Sequence, residues 1–317
     1  MNINTDEKVE PVKIILAFLA VYIIWGSTYI AIKYALESFS PFLMSAIRFA
    51  IGGTLMCAWS YFRQGARPRL SDLRSTAVLG FLLLVMGSTG VVLAEKTVPS
   101  GVVSLLVTSI PCFIVLLEWL KPGGCPPGKR VIVGLVLGTL GILLLVGAHM
   151  GGHFASIDLV GVGYVLLGAF GSANGALYSR SAKVPRCQNL SAGLQMAFAS
   201  FFLFILAIIF GECSLIPAMH FSLRSMLALL YLTVFGSMIA FSAYLWLLRH
   251  VPASRVATYA YVNPVVAVIL GCCLGGEVIG SETMLGAGVL LLSVWLINSG
   301  KSQTKLVKTP SEVREPV

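Results

Sequence analysis

The most informative absence in this sequence of 317 residues is charge. Asp, Glu, Lys and Arg make up 11% of the chain, whereas a soluble globular protein carries about 25%. Hydrophobic residues make up 57%, and the mean hydropathy is +0.90. Because so few charges cannot cover a water-facing globule of this size, the composition excludes an ordinary soluble domain.

Several kinds of site are also missing. The seven cysteines, an odd number without a Cys-x-x-Cys pair, offer no disulfide framework and no zinc site. His149 and His153 have only Asp158 near them as a further ligand, so we predict no metal and no other cofactor. We find no Gly-x-Ser-x-Gly motif and no phosphate loop, and therefore expect no enzyme. The net charge of +9 is spread over short gaps between apolar runs, which argues against nucleic acid as a partner.

Long apolar runs dominate what remains. About 30 Å of hydrocarbon needs about 20 helical residues, and none of the runs alternates as a barrel strand would. The sequence therefore predicts an all-α membrane protein with ten transmembrane helices in a lipid bilayer. The predicted spans are 14–32, 42–62, 76–94, 99–120, 131–148, 159–179, 190–210, 226–248, 256–274 and 283–298.

The loops differ in their content of Lys and Arg. With the N-terminus in the cytoplasm, the external loops hold only Lys33, Lys96 and Arg224, and Arg48 lies within a span. The rest of the 22 Lys and Arg fall on the cytoplasmic side, as the positive-inside rule requires. We therefore predict that both tails, 1–13 and 299–317, are cytoplasmic and that the protein lies in a bacterial-type inner membrane.

The chain matches itself at an offset near 153. The matches indicate two repeats of five helices, 14–148 and 159–298. Because five is odd, the second repeat must be inverted relative to the first. Inverted repeats are typical of transporters that bind substrate between their halves. The matching segments are Val98-Pro99-Ser100 with Val251-Pro252-Ala253, Pro111 with Pro264, Trp25-Gly26-Ser27 with Phe170-Gly171-Ser172, and Ile47-Arg48-Phe49-Ala50 with Leu194-Gln195-Met196-Ala197.

Polar and aromatic side chains inside the spans are candidates for lining a substrate cavity. Arg48 would cost about 2.5–3.5 kcal/mol in lipid, so it should face a cavity, reach outward to the interface or bond backbone carbonyls. In a cavity it could bind a carboxylate or phosphate. Tyr178 and Tyr244 could instead be interface anchors, and Ser and Thr could bond their own helix. The predicted substrate-binding residues are Trp25, Ser27, Thr28, Arg48, Asn174, Tyr178, Gln195, Tyr244, Tyr259 and Asn263.

Prolines, glycines and two glutamates carry further expectations. Pro111 and Pro264 each remove a helical hydrogen bond and predict matched kinks along the route, although a kink could also serve packing alone.

Small residues predict close packing by the last helix of each half and a possible homodimer surface there. They are Gly134, Gly138, Gly141, Gly286 and Gly288. Glu118 and Glu277 lie near helix ends and are expected to reach water, so proton coupling is not inferred.

Several of these segments resemble a known family. The runs WGSTYIAIK (25–33), SAIRF (45–49), VPSG (98–101), SIP (109–111), YAYVNPVVAV (259–268) and GGE (275–277) are similar to motifs of the EamA branch of the drug/metabolite transporter superfamily. Their order is similar to that in YedA-like and PecM-like inner-membrane transporters. One departure is that Gly123-Gly124 stand in the first repeat where Glu277 stands in the second.

The resemblance implies a function for the ten-helix chain. We expect export of small organic metabolites, such as amino acids or related compounds, by alternating access through a central cavity. Multidrug efflux and solute uptake through the same cavity are the alternatives within transport. An intramembrane enzyme and a channel are the alternatives outside it.

Overall fold

The computed structural model describes residues 11–122, 126–147, 158–218, 220–251, 256, 258–277 and 280–299. These residues are helical apart from short connections, and none of them forms a strand. The predicted tails and the loop with His149 and His153 lie outside the described residues, apart from the inner ends of the tails. The helices are α1 Pro11–Ala35, α2 Pro41–Gln64, α3 Leu70–Ala94, α4 Ser100–Leu120, α5 Lys129–Gly147, α6 Leu159–Ser179, α7 Gln188–Ile209, α8 Leu223–Leu247, α9 Tyr259–Gly275 and α10 Ser281–Ser299.

Seven of these helices are long and apolar enough to cross a membrane: α1 to α4 and α6 to α8. Helices α9 and α10 contain the shorter apolar stretches Val262–Gly275 and Met284–Ile297. Large apolar side chains such as Phe62, Phe201 and Trp295 are exposed on the outside, where lipid can cover them. The protein is thus a multi-pass helical membrane protein, and helix length supports seven of the ten predicted spans.

The second helices of the two predicted repeats, α2 and α7, pack together along their length. A Cβ added at Gly53 would lie 2.9 Å from both the Gly193 carbonyl oxygen and the Ala197 nitrogen. Nearer the start of α2, the Ser200 hydroxyl donates to the Ala46 carbonyl at 2.9 Å. Residues later in α2 thus contact residues earlier in α7, so these two helices run antiparallel.

The fifth helices, α5 and α10, pair in the same manner. A Cβ at Gly134 would meet the Ser293 carbonyl oxygen at 3.0 Å, and one at Gly141 would meet the Leu290 nitrogen at 3.1 Å. These helices are therefore antiparallel as well. The predicted close packing is confirmed for Gly134, Gly138 and Gly141, but their partner is α10 of the same chain. The homodimer stays a prediction that cannot draw on these three glycines.

Successive helices reverse direction, so the connections gather at two ends of the bundle. The Glu277 end contains 36–40, 95–99, 210–218 and 276–277, where the Leu43 N–H donates to Glu212 Oε2 at 2.8 Å. The Cys187 end contains 65–69 and 180–187, where Cys187 Sγ donates to Gln64 Oε1 at 2.7 Å. We use these two names below.

Three helices contain wide π-helical turns, at Ala20–Ile24 in α1, Gly80–Ser88 in α3 and Leu232–Ala240 in α8. The segments in α3 and α8 occupy the same place in the third helix of each predicted repeat. A π-turn shifts the register of the carbonyl groups, and such turns often occur at functional sites.

The two repeat-related prolines differ in their surroundings. Helix α4 is interrupted by a turn at Thr108 and Ser109, and its second part begins at Ile110, directly before Pro111. Helix α9 continues without interruption through Pro264. The prolines match in sequence, but only Pro111 accompanies a break in its helix.

Candidate substrate site

Three of the predicted aromatic residues meet where α1, α8 and α9 come together. The Trp25 ring centroid lies 5.0 Å from that of Tyr244 and 5.4 Å from that of Tyr259, and the two tyrosine rings are 5.9 Å apart. Trp25 Nε1 also donates to the Gly236 carbonyl at 3.2 Å. Tyr244 therefore belongs to an internal aromatic cluster.

Arg48 lies beside this cluster and is 6% exposed. Its Nε donates to the Ser237 hydroxyl at 2.6 Å, and its guanidinium carbon lies 5.2 Å from the Phe49 ring centroid. A Cβ added at Gly236 would lie 3.2 Å from Arg48 Nη2 and 3.1 Å from Thr28 Cγ2. Of the ion pairs among the described residues, none includes Arg48. The guanidinium is therefore buried rather than extended to the interface.

The π-turn of α8 positions these contacts. Ser237 donates to the Leu232 carbonyl five residues earlier at 3.1 Å, which is the spacing of a π-turn. That bond fixes the hydroxyl so that its oxygen can accept from Arg48. The neighbouring Gly236 carbonyl is free to accept from Trp25. Neither Gly236 nor Ser237 is among the residues that the sequence predicts for the site, because an apolar run does not reveal a π-turn.

The polar residues of α1 make local bonds. Thr28 donates to the Trp25 carbonyl at 2.6 Å, and Ser27 donates to the Ile24 carbonyl at 2.9 Å. Ser27 also bonds the Tyr231 hydroxyl at 2.6 Å, which ties α1 to α8. The alternative that Ser and Thr bond their own helix thus describes both residues.

Asn263 joins α9 to the π-turn of α1. With its NH₂ group facing these acceptors, its amide donates to the Tyr22 carbonyl at 3.2 Å and to the Tyr259 carbonyl at 3.3 Å. The side chain is 5% exposed. Asn263 therefore holds two elements of the aromatic cluster in register.

Asn174 and Tyr178 lie at a second place, between α3 and α6. They line a cavity of about 410 Å³ together with Val78, Leu82, Met86, Phe170 and Gly171. Asn174 donates to the Phe170 carbonyl at 2.9 Å, and the Tyr178 hydroxyl donates to Ser75 at 3.3 Å. The structure therefore places Asn174 and Tyr178 apart from the aromatic cluster.

Gln195 is buried between α7 and α3. Its amide nitrogen donates to the Ser191 hydroxyl at 3.1 Å, while its side-chain oxygen has no partner among the described residues. A Cβ added at Gly80 would lie 2.4 Å from the Gln195 carbonyl oxygen. The backbones of α3 and α7 can approach this closely only because residue 80 is glycine.

A cavity of about 470 Å³ opens at the Cys187 end. Its lining includes Ala243 and Trp246, which pack against the same buried apolar core as Trp25, Tyr244 and Tyr259. Its full lining is Lys13, Ala17, Gln64, Cys187, Gln188, Asn189, Ser242, Ala243 and Trp246. The cavity thus lies next to the apolar core against which the three aromatic residues pack.

The opposite end is joined by a network around Glu277, which we call the Glu277 lock. Glu277 accepts hydrogen bonds from the Ser100 N–H at 3.0 Å, the Ser100 hydroxyl at 2.8 Å and the Gly101 N–H at 3.2 Å. Lys33 pairs with the same carboxylate at 3.1 Å and donates to the Gly275 carbonyl at 3.0 Å. The lock therefore ties α1 and the end of α9 to the first turn of α4.

The expectation that Glu277 reaches water is wrong, because its side chain is only 7% exposed. Burial by itself would raise its pKa. The N–H groups of Ser100 and Gly101, the Ser100 hydroxyl and Lys33 outweigh burial and hold the pKa below its ordinary value. The carboxylate is thus ionised, and it satisfies free N–H groups at a helix N-terminus whose dipole favours negative charge. Glu118 differs, since it is partly exposed and pairs with Arg180 at the other end.

Buried polar side chains between apolar helices, interrupted helices and cavities beside them are typical of membrane transporters. The chain belongs to the EamA-like transporter family, whose sequence model matches residues 12–147 and again residues 159–299. It is therefore a membrane transporter of the drug/metabolite superfamily.

Relatives in distant organisms agree with this assignment. The chain is 37% identical to the uncharacterized inner membrane transporter YedA of Escherichia coli, over 90% of each chain. It is 26% identical to the uncharacterized transporter YvbV of Bacillus subtilis, over 92% of this chain and 93% of that one. A solved crystal structure covers 90% of this chain and 96% of its own, with a TM-score of 0.62 and 21% identity. That likeness concerns the fold alone.

Proposed function

We propose that this protein exports small organic metabolites, amino acids or related compounds, by alternating access across the cell inner membrane. The observation that carries this proposal is Arg48, a buried cation without a counter-ion in the described part of the chain, beside an aromatic cluster. A cargo carboxylate can supply the missing negative charge, and Trp25, Tyr244 and Tyr259 can pack against its apolar portion.

The proposal assigns ten spans arranged as two inverted repeats. Two observations support it: the family's sequence model matches each half separately, and α2 with α7 and α5 with α10 run antiparallel. Equivalent helices of two halves run in opposite directions only when one half is inverted. Helices α5, α9 and α10 complete the ten spans although their apolar stretches are shorter.

The proposed orientation places the Cys187 end in the cytoplasm and the Glu277 end outside. The distribution of Lys and Arg supports this orientation. The name of the Escherichia coli relative supports the inner membrane as the location. Both termini are then cytoplasmic.

The closed end supports the proposed direction of transport. The Glu277 lock joins helices on the outer side, whereas the cavity of about 470 Å³ faces the cytoplasm. Such a state accepts cargo from inside the cell, which supports export. Multidrug efflux would use the same aromatic cluster without Arg48, and uptake would use the same cavities in the opposite direction.

The test is a solute screen in sealed vesicles that contain the purified protein. Radiolabelled amino acids and their carboxamides would be supplied on the Cys187 side, with and without an imposed pH gradient. We expect transport of carboxylates in preference to their carboxamides. If carboxamides move equally well, Arg48 does not select cargo, and if no solute moves, export of this class is refuted.

A further inference from the structure

One buried carboxyl group takes no part in the contacts described so far. Glu95 directly follows α3 and is 8% exposed. Both of its carboxylate oxygens are buried, and neither has a hydrogen-bond partner among the described residues. An ionised carboxylate left in this state would cost several kcal/mol, so such a group is neutral or shares a nearby positive charge.

The charged groups that act on Glu95 come from neighbouring elements. The charges of Glu277 and Lys33, the ion pair of the Glu277 lock, both act on the carboxyl group of Glu95. The charge of Glu95 also acts on the Tyr29 hydroxyl of α1. Asp158, at the start of α6, accepts hydrogen bonds from the Val160 N–H and the Thr97 hydroxyl. Two carboxyl groups therefore share one lysine, and in this structure Glu277 holds it.

The surroundings of Glu95 and Glu277 determine which of the two carboxyl groups carries a proton. Burial raises the pKa of Glu95 well above its ordinary value, the charge of Glu277 raises it further, and Lys33 lowers it only in part. Glu277 is ionised with four donors, whereas Glu95 has none. The proton therefore resides on Glu95 while the Glu277 lock is closed.

We propose that Glu95 is the proton-binding site of this transporter and that release of its proton opens the Glu277 lock. On deprotonation the O–H bond of the Glu95 carboxyl breaks and the proton passes to water that enters from the Cys187 end, which is the open end while the lock is closed. The new carboxylate competes for Lys33, which leaves Glu277, and α1 separates from the first turn of α4. Proton binding to Glu95 from water at the opened Glu277 end closes the lock again, so that each cycle moves one proton inward. The inference deepens the proposed function, on which it rests, by naming a proton as the coupling ion.

The first experiment needs no cargo. The infrared band of protonated carboxylic acids would be titrated against pH in the purified, lipid-reconstituted full chain. We expect a protonated carboxyl near neutral pH in the wild type, absent from Glu95→Gln and retained in Glu37→Gln. Glu37 is the matched control, because it lies at the same end but is exposed and pairs with Arg224. A wild-type chain without the band, or a Glu95→Gln chain that keeps it, overturns the proposal.

The second experiment follows transport in vesicles, with the carboxylate cargo found by the screen. For one-for-one exchange, a gradient of one pH unit sustains about a tenfold cargo gradient, since each corresponds to about 1.4 kcal/mol. We expect Glu95→Gln to lose this accumulation and Glu37→Gln to keep it. Accumulation that survives in Glu95→Gln overturns the proposal.

These two experiments separate the two ideas. If the wild type moves no cargo, the proposed function fails, and the infrared titration still decides whether Glu95 binds a proton. If Glu95→Gln does not fold, the wild-type titration alone decides. A single protonated carboxyl near neutral pH, retained in Glu37→Gln, then supports the proposal, and its absence refutes it.

Discussion

Replacing Arg48 with glutamine tests whether this side chain binds cargo or only supports the fold. The structure makes the structural cost small. Ser237 keeps its own bond to the Leu232 carbonyl when Arg48 is removed, so no buried donor is left without an acceptor. No carboxylate among the described residues loses a partner either. We therefore expect Arg48→Gln to reach the membrane in normal yield, because glutamine is also easier to insert than arginine.

We expect Arg48→Gln to weaken the binding of a carboxylate cargo much more than it lowers the stability of the fold. A hydrogen bond to a charged group contributes about 1.5–3 kcal/mol, so losing it lowers the affinity for a carboxylate about 10- to 150-fold. Arg48→Lys keeps the charge but loses the planar fork and should fall between wild type and Arg48→Gln. Ser237→Ala keeps the guanidinium and removes only the hydroxyl that positions it, so its effect should be the smallest of the three.

The assay is transport per folded molecule, with folded protein counted by size-exclusion fluorescence. Each amino acid would be compared with its carboxamide, which has the same side chain without the carboxylate charge. Turnover that is unchanged in Arg48→Gln, or lost equally for carboxylates and carboxamides, would refute the reasoning. A low folded yield with normal turnover per molecule would show that Arg48 is structural.

Three further predictions address packing, pH and topology. Gly80→Ala should lower folded yield, because its Cβ would lie 2.4 Å from a backbone oxygen of α7, whereas Gly163→Ala, with no atom within 4 Å, should be neutral or slightly stabilising, as measured by thermal unfolding. Because folding raises the pKa of Glu95, its contribution to stability is fully present below the ordinary value of 4.5 and is lost as pH rises through the raised pKa. Unfolding temperatures from pH 4 upward should therefore fall for the wild type relative to Glu95→Gln, and parallel curves would contradict this. Reporter fusions in 65–69 should be active in the cytoplasm and those in 36–40 outside, and the reverse pattern would refute the orientation.

The sequence was sufficient to place most helices. The predicted spans 42–62 and 159–179 correspond to Pro41–Gln64 and Leu159–Ser179. Apolar composition over about 20 residues fixes a helix in a membrane almost by itself, since no other backbone arrangement satisfies its polar groups there. The predicted first span, 14–32, was too short, because α1 extends at both ends through residues such as Lys33 that have partners within the protein.

The candidate site was predicted only in part, for reasons of geometry. Trp25, Arg48, Tyr244 and Tyr259 could be selected because polar or aromatic groups within an apolar span need partners. Their grouping depends on which helices pack together, and Asn174 proved to lie at another cavity.

The Glu277 lock shows why the remaining contacts could not be foreseen. Glu277 bonds Ser100, which is 177 positions away in the sequence, and no periodicity within a single helix encodes such a distance. The GGE and VPSG segments are both motifs of the sequence, yet each contains one side of a bond that exists only in the folded protein. Glu95 was overlooked because it lies one residue beyond the apolar run of α3, where a charged residue normally reaches water.

The lock also breaks the symmetry of the two halves. An inverted repeat would place a second lock at the Cys187 end, built from the residue that corresponds to Glu277. Glycine occupies that place in the first repeat, at Gly123-Gly124, and a glycine offers no carboxylate to the first turn of another helix. Closure at the Glu277 end therefore gains the charge-assisted bonds of Glu277 to a helix N-terminus, and Gly123-Gly124 cannot supply their counterpart at the Cys187 end. Under the proposed alternating access, we therefore expect the two proposed repeats to differ in energy and the resting protein to favour the state that is open toward the Cys187 end.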